Sequence, residues 1–181
     1  KRTAAAASSA VASGDEDSPN ASTSSSTYDR VVDAIIIGGS SGMGKAAAKE
    51  VVRRGGNVLI GSRSRDKLDA AAAEIAAACR LSPDEAAARI AVGVVDNTDE
   101  ASVVDFFNRH VPKKGAYNGM VVSAAARSVH GSFLDLDVAD VRAFVDSKFW
   151  GAYHCVKHGA PLLADGGGVV LFSGVLSRRP G

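Results

Sequence analysis

Asp33-Ala-Ile-Ile-Ile-Gly-Gly-Ser-Ser-Gly-Met-Gly-Lys-Ala-Ala-Ala-Lys-Glu50 reads as a buried strand, a glycine turn and a helix start. Ala34 to Ile37 is a short apolar run rich in β-branched residues, as a parallel-sheet strand requires. Gly38, Gly42 and Gly44 follow with the spacing G-x-x-x-G-x-G. Ala46 to Arg54 has helix-forming composition, and Gly55-Gly56 stops it. A side chain at the turn would hold a pyrophosphate away from the backbone N–H groups. A side chain at the helix start would hold the helix off the strand. The helix N-terminus supplies partial positive charge and free donors, and the hydroxyls of Ser40 and Ser41 can add to them. A glycine-rich turn alone can be a tight loop. The strand before it and the helix after it point instead to a phosphate-binding turn.

The chain continues in the same alternation. Asn57 to Ser62 reads as the second strand, followed by an Ala-rich helix from about Asp66 to Cys79. In a Rossmann-type fold the end of the second strand reads the adenosine ribose: an acid there favours NAD, a base NADP. Ser62 and Arg63 occupy that position, and Arg63 can bond a 2′-phosphate and stack on adenine. Two alternatives stand beside this: Arg63 and Arg65 as solvated charges ahead of a helix, or a slip in register that gives Asp66 the acidic role. Ser82-Pro-Asp-Glu85 is a capping box with Pro at the first helical position, which predicts a short helix to about Arg89. Ile90 to Val95 is the third strand. Asp96-Asn97 closes it, and Asn97 with Glu100 can cap a helix to about His110. Gly119 to Ser123 is the fourth strand. Leu134 to about Leu163 reads as one long helical region, and Gly168 to Ser173 as the fifth strand. About five strands alternating with helices predict an α/β fold, a Rossmann-type doubly wound parallel sheet with right-handed crossovers. His154 and His158 have metal-binding i, i+4 spacing, but with no third ligand or adjacent Glu no metal site is expected.

The chain has 181 residues, 46% hydrophobic and 23% charged, the composition of one soluble domain with a real core. A net charge of +1 argues against a dedicated nucleic-acid or membrane-surface binder. No apolar run approaches the ~20 residues of a membrane span. Cys79 and Cys155 fall in unrelated helical segments, which suggests reduced thiols in a soluble intracellular protein, cytoplasmic before any other compartment. Residues 1–29 are mostly Ala, Ser and Thr with the acidic patch Asp15-Glu16-Asp17, and read as a disordered tail ahead of a folded domain over 30–181. The chain does not start with Met, so a fragment or a processed product is expected. The Ala/Ser richness hints at the remnant of a plastid or mitochondrial transit peptide, against which the acidic residues and scarce arginine argue.

Gly38-Gly39-Ser40-Ser41-Gly42-Met43-Gly44 resembles the nucleotide-binding turn of the short-chain dehydrogenase/reductase family, with Ile37 where Thr is usual. The resemblance runs over nearly all of Val31 to Gly181 and implies roles by position. Gly38, Ser40, Ser41, Gly42, Met43 and Gly44 would seat the pyrophosphate. Ser62 with Arg63 is similar to NADP-preferring members, with NAD as the alternative cofactor. Asp96 would contact the adenine amino group with the Asn97 backbone on the ring; the alternative for Asp96 is a helix-start cap. Val122-Ser123-Ala124-Ala125 stands where the family has Asn-Asn-Ala-Gly. Ser123, Ala124 and Ala125 would then line the nicotinamide ribose, with the asparagines' bracing lost. Lys148, three before Gly151, stands where an Asn helps hold a proton-relay water, and could bring a positive charge to the site; the alternative is a snorkelling lysine. Phe149, Trp150 and Tyr153 are expected in core or interface packing.

The family's fifth strand ends in Ser-Ser, the second being catalytic. Here the pair is Ser173-Gly174, so Ser173 is the nearest hydroxyl to donate to a substrate oxygen. The family's Tyr-x-x-x-Lys pair belongs past Gly181. The chain is therefore expected to carry most of a cofactor-binding half without a full catalytic set, and a fifth strand with an uncovered edge. The implied activity is hydride transfer between nicotinamide and a small carbonyl or alcohol substrate, in a full-length protein that forms homo-oligomers. The alternative is a nucleotide-binding or structural module without chemistry, which the changed Asn-Asn-Ala-Gly, Lys148 and Gly174 favour.

Overall fold

The computed structural model describes residues 31–126 and 129–172. The predicted tail and Ser173, Gly174 lie outside them. The strands are β1 (Ala34–Ile37), β2 (Val58–Ser62), β3 (Ile90–Val94), β4 (Gly119–Val122) and β5 (Gly168–Leu171). They form one sheet in the order β3-β2-β1-β4-β5, every neighbouring pair parallel. The order reverses between β1 and β4, which puts a crevice beyond the carboxyl ends of those two strands.

The period-2 alternation of strand side chains divides the core between the two faces of the sheet. Ala34 and Ile36 pack with Val58 and Ile60 against Ala48 and Val52 of α1 (Gly42–Arg53) and Leu68, Ala71 and Ile75 of α2 (Arg65–Ala78). Ile35 and Ile37 face the other way, against Phe106 and Phe107 of α4 (Glu100–His110), Met120, Val122 and Cys155. α3 (Pro83–Arg89), which follows α2 in the chain, starts with the predicted capping box: Glu85 N–H donates to Ser82 Oγ, and Ser82 N–H to the Glu85 carboxylate.

Three expectations need correction. α1 begins at Gly42, four residues before Ala46, because its hydrogen bonding opens with Lys45 N–H donating to the Ser41 carbonyl, which takes the last two glycines of the turn into the first helical turn. Asp99, rather than Asn97 with Glu100, caps α4: its carboxylate accepts from Ala101 N–H at 2.9 Å, while Asn97 is buried and committed elsewhere. The long helix over 134–163 is divided. A 3₁₀ turn at Phe133–Asp135 precedes α5 (Val138–Val145), whose cap Asp137 accepts from Ala139 and Asp140 N–H. A π-turn at Asp146–Trp150 then leads into α6 (Gly151–Gly159), and a 3₁₀ turn containing Pro161 ends the run.

Candidate functional site

The turn after β1 is shaped by contact as much as by torsion. Gly38 has φ of 92°, and a Cβ on it would lie 2.5 Å from the Ala124 nitrogen. A Cβ on Gly44 would lie 2.3 Å from the Gly38 carbonyl oxygen and 2.4 Å from Ser123 Oγ. Helix, turn and the segment after β4 thus touch backbone to backbone. Among the described residues no side chain caps α1, which leaves its first-turn N–H groups available to an anion.

The turn forms one wall of a cleft of about 510 Å³ at the switch point. Gly38, Ser40, Ser41, Gly42, Met43 and Gly44 line its middle. Ser62 and Arg63 line it too, joined by Ser64 and Lys67. Arg65 turns away into an ion pair with Asp69 at 2.9 Å, and Asp66 is exposed in the first turn of α2 without lining the cleft. Ser123, Ala124 and Ala125 line the cleft with Val95, Asn97 and Ser147. Among the described residues, no Asp or Glu lines it.

Asp96 is not among them either. Its Oδ1 accepts from Thr98 N–H at 3.0 Å and from the Thr98 hydroxyl at 2.7 Å, a local turn ahead of α4. The bracing expected to be lost with the two asparagines is supplied by other groups. Ser123 Oγ donates to the Ile37 carbonyl at 3.2 Å, and Ser123 and Ala124 N–H donate to the same oxygen. Lys148 lies apart from the cleft, in a second cavity of about 420 Å³ lined otherwise by Val122, Ala124, Phe144, Phe149, Ala152, Leu171 and Phe172. Among the described residues, Ala124 lines both spaces. Phe149, Trp150 and Tyr153 are exposed rather than in the core, stacked edge to face along one helix surface. His154 Nδ1 contacts the Asn97 carbonyl, and His158 Nε2 the Glu100 carboxylate. Ser173 lies outside the described residues.

Sequence reasoning missed Lys67, Ser64 and Ser147. The first two had a signal: Ser64 caps α2, and that cap brings Lys67 into the first turn beside Arg63. Ser147 had none, because its place at the cleft wall depends on the π-turn, which leaves no mark in the sequence.

A doubly wound parallel sheet with a glycine turn and a cleft at its switch point defines the class, a Rossmann-type α/β domain. Residues 33–181 match the family described as short chain dehydrogenase, and the chain belongs to that family of oxidoreductases. It is similar to a cis-4-hydroxycyclohexanecarboxylate dehydrogenase from Sinomonas cyclohexanicum, 29% identical over 79% of this chain and 55% of that protein. A short-chain type dehydrogenase/reductase from Mycobacterium ulcerans superposes with a TM-score of 0.69 at 28% identity, over 81% of this chain and 52% of the other. A short chain oxidoreductase from Pseudomonas aeruginosa PAO1, solved with NADPH bound and with an atypical catalytic centre, has the same fold: TM-score 0.70, 24% identity, over 83% and 56% of the two chains. The chain thus spans about half the length of these proteins.

Proposed function

We propose that the chain is the cofactor-binding part of an NADP(H)-preferring oxidoreductase, acting on a small carbonyl or alcohol substrate. The observation that carries this is the end of the cleft where Arg63 and Lys67 stand beside Ser62 and Ser64 and, among the described residues, no carboxylate lines the wall. Two cations and two hydroxyls suit a 2′-phosphate; a ribose 2′-hydroxyl would want an acceptor. The cleft also fits the rest of the cofactor. The uncapped N-terminus of α1 with Ser40 and Ser41 would hold the pyrophosphate, on a turn that Gly38 and Gly44 let close against Ser123 and Ala124, where a Cβ would clash. The Asn97 backbone would lie on the adenine, while Asp96, occupied with Thr98, contributes mainly by shaping the turn. Ser123, Ala124 and Ala125 would flank the nicotinamide ribose. The bound cofactor supplies the hydride. Ser173 is assigned to the substrate oxygen, and Lys148 sets charge beside an apolar space that meets the cleft at Ala124.

The exposed face Val138, Val141, Val145, Phe149 and Tyr153, at helical spacing, is the surface through which the full-length protein would pair with another copy. None of the described helices is long and apolar enough to cross a membrane, and the two free thiols suit a reducing intracellular compartment. A second reading, a module that holds nucleotide without chemistry, draws on Lys148 standing outside the cleft.

Titration with NADPH and NADH, followed by nicotinamide fluorescence, tests the cofactor assignment. Wild type should prefer NADPH, and Arg63→Glu should weaken NADPH by about tenfold or more while changing NADH little. Equal affinity for the two nucleotides would overturn it.

A further inference from the structure

We propose that Asn97 is a positioning residue for the cofactor. Its buried side-chain amide clamps the π-turn, and through Ser147 it sets the backbone of Ala124 to Ala126 at the nicotinamide end of the cleft. This rests on the NADP(H) reading above.

The π-turn frees the group that Asn97 holds. Gly151 N–H reaches back five residues to the Asp146 carbonyl instead of four to that of Ser147. The Ser147 carbonyl accepts instead from Asn97 Nδ2, at 2.9 Å in a buried setting. Both partners are almost wholly enclosed, Asn97 at 6% exposure and Ser147 at 4%. The same serine looks the other way with its hydroxyl, whose oxygen accepts from Ala126 N–H at 2.8 Å. One residue of the π-turn therefore joins the segment after β3 to the segment after β4. Both segments line the cleft, and so does Ser147.

Two further features support the clamp. The Asn97 backbone carbonyl contacts His154 Nδ1 at 3.1 Å, one helical turn past the π-turn, so Asn97 holds the helix at two points. Gly151 makes room for it: a Cβ there would lie 2.0 Å from Asn97 Nδ2 and 3.2 Å from the Asn97 carbonyl oxygen. Losing the amide donor would leave the Ser147 carbonyl buried without this partner, a state that relaxes by moving the π-turn and, with it, the acceptor of Ala126.

The test compares two ligands on this chain. NADPH spans the whole cleft; 2′,5′-ADP reads the adenosine end alone. Asn97→Ala and Asn97→Asp should each weaken NADPH by about tenfold and 2′,5′-ADP by clearly less, since the backbone of residue 97 also meets the adenine; the carboxylate matches asparagine in size but lacks the donor. Ser147→Ala, which keeps the carbonyl that Asn97 holds, should weaken NADPH in the same sense. The double variant Asn97→Ala/Ser147→Ala should be no weaker than Asn97→Ala, because both break one chain of contacts. Amide exchange at Ala126 should quicken in Asn97→Ala, a readout that needs no nucleotide. If Asn97→Ala does not fold, Asn97→Asp and Ser147→Ala carry the test. Unchanged NADPH affinity in the variants, or loss of both ligands in parallel, overturns the positioning role while the cofactor assignment stands. A folded wild type that binds no NADPH overturns both.

Discussion

β1 and β5 are both four-residue parallel strands of one sheet, Ala-Ile-Ile-Ile and Gly-Val-Val-Leu, with similarly apolar sequences. Every residue of β1 is 1% exposed or less, whereas Val169, Val170 and Leu171 expose 37%, 52% and 54% of their surface. The difference comes from their neighbours. β1 has a strand on each side, α1 over one face and α4 over the other; β5 pairs only with β4 among the described strands. An apolar run specifies extended backbone, and burial depends on what the rest of the chain lays over it. The phosphate turn hangs from the enclosed strand, so the cleft inherits a rigid floor.

The strongest way to break this contrast is to truncate one side chain in each strand. Ile36→Ala should cost about 3 kcal/mol, since the site lies between α1, α2 and the sheet and cannot collapse. Val170→Ala should change stability by no more than about 0.5 kcal/mol. Urea unfolding measures both, and equal losses would mean that β5 is covered in solution.

A second contrast lies within the glycine turn. Gly44→Ala drives a methyl into the Gly38 carbonyl and Ser123, and neither can move without parting α1 from β1 or β4 from the turn. We expect about 2 kcal/mol of destabilisation and loss of NADPH binding. Gly42 has φ of 53° but open space where a Cβ would go, so Gly42→Ala should cost about 1 kcal/mol from torsion alone. Thermal melts with and without NADPH separate the two: the nucleotide should still raise the Tm of Gly42→Ala and leave that of Gly44→Ala unmoved.

These residues also show what could be read from the sequence. The strand, the turn and the capping box at Ser82 were legible because short-range rules fix them: β-branched runs, glycine spacing and an N-cap with its partner three residues on. The cationic end of the cleft was half legible. Arg63 followed from the end of β2, but Lys67 needed the exact start of α2, which the Ser64 cap sets. The clamp of Asn97 on Ser147 was not legible. It joins residues 50 apart in sequence and depends on a π-turn that leaves no mark on hydrophobic periodicity. Asn97 looked like a helix cap because asparagine after a strand often is one; burial against Gly151 decided otherwise.

The smallest contrast sets these buried contacts against an exposed one. Glu100, in the first turn of α4, accepts from Lys157 Nζ and His158 Nε2 of α6, both at 2.7 Å. Those bonds, Lys157 first, hold its carboxyl down at about 2, well below the ordinary glutamate value. With the folded pKa depressed, the pair adds stability above the unfolded pKa of about 4.3 and loses it as pH falls toward about 2. Glu100→Gln removes that dependence. The Tm gap between wild type and Glu100→Gln should therefore be open at pH 5 and close between about pH 4 and pH 2. High salt should narrow the gap at pH 5, because the pair faces water and its charges are screened. The corresponding gap for Ile36→Ala should not respond to salt in this way. Parallel pH profiles for wild type and Glu100→Gln would show that the α4–α6 contact rests on Phe107, Cys155 and their neighbours alone.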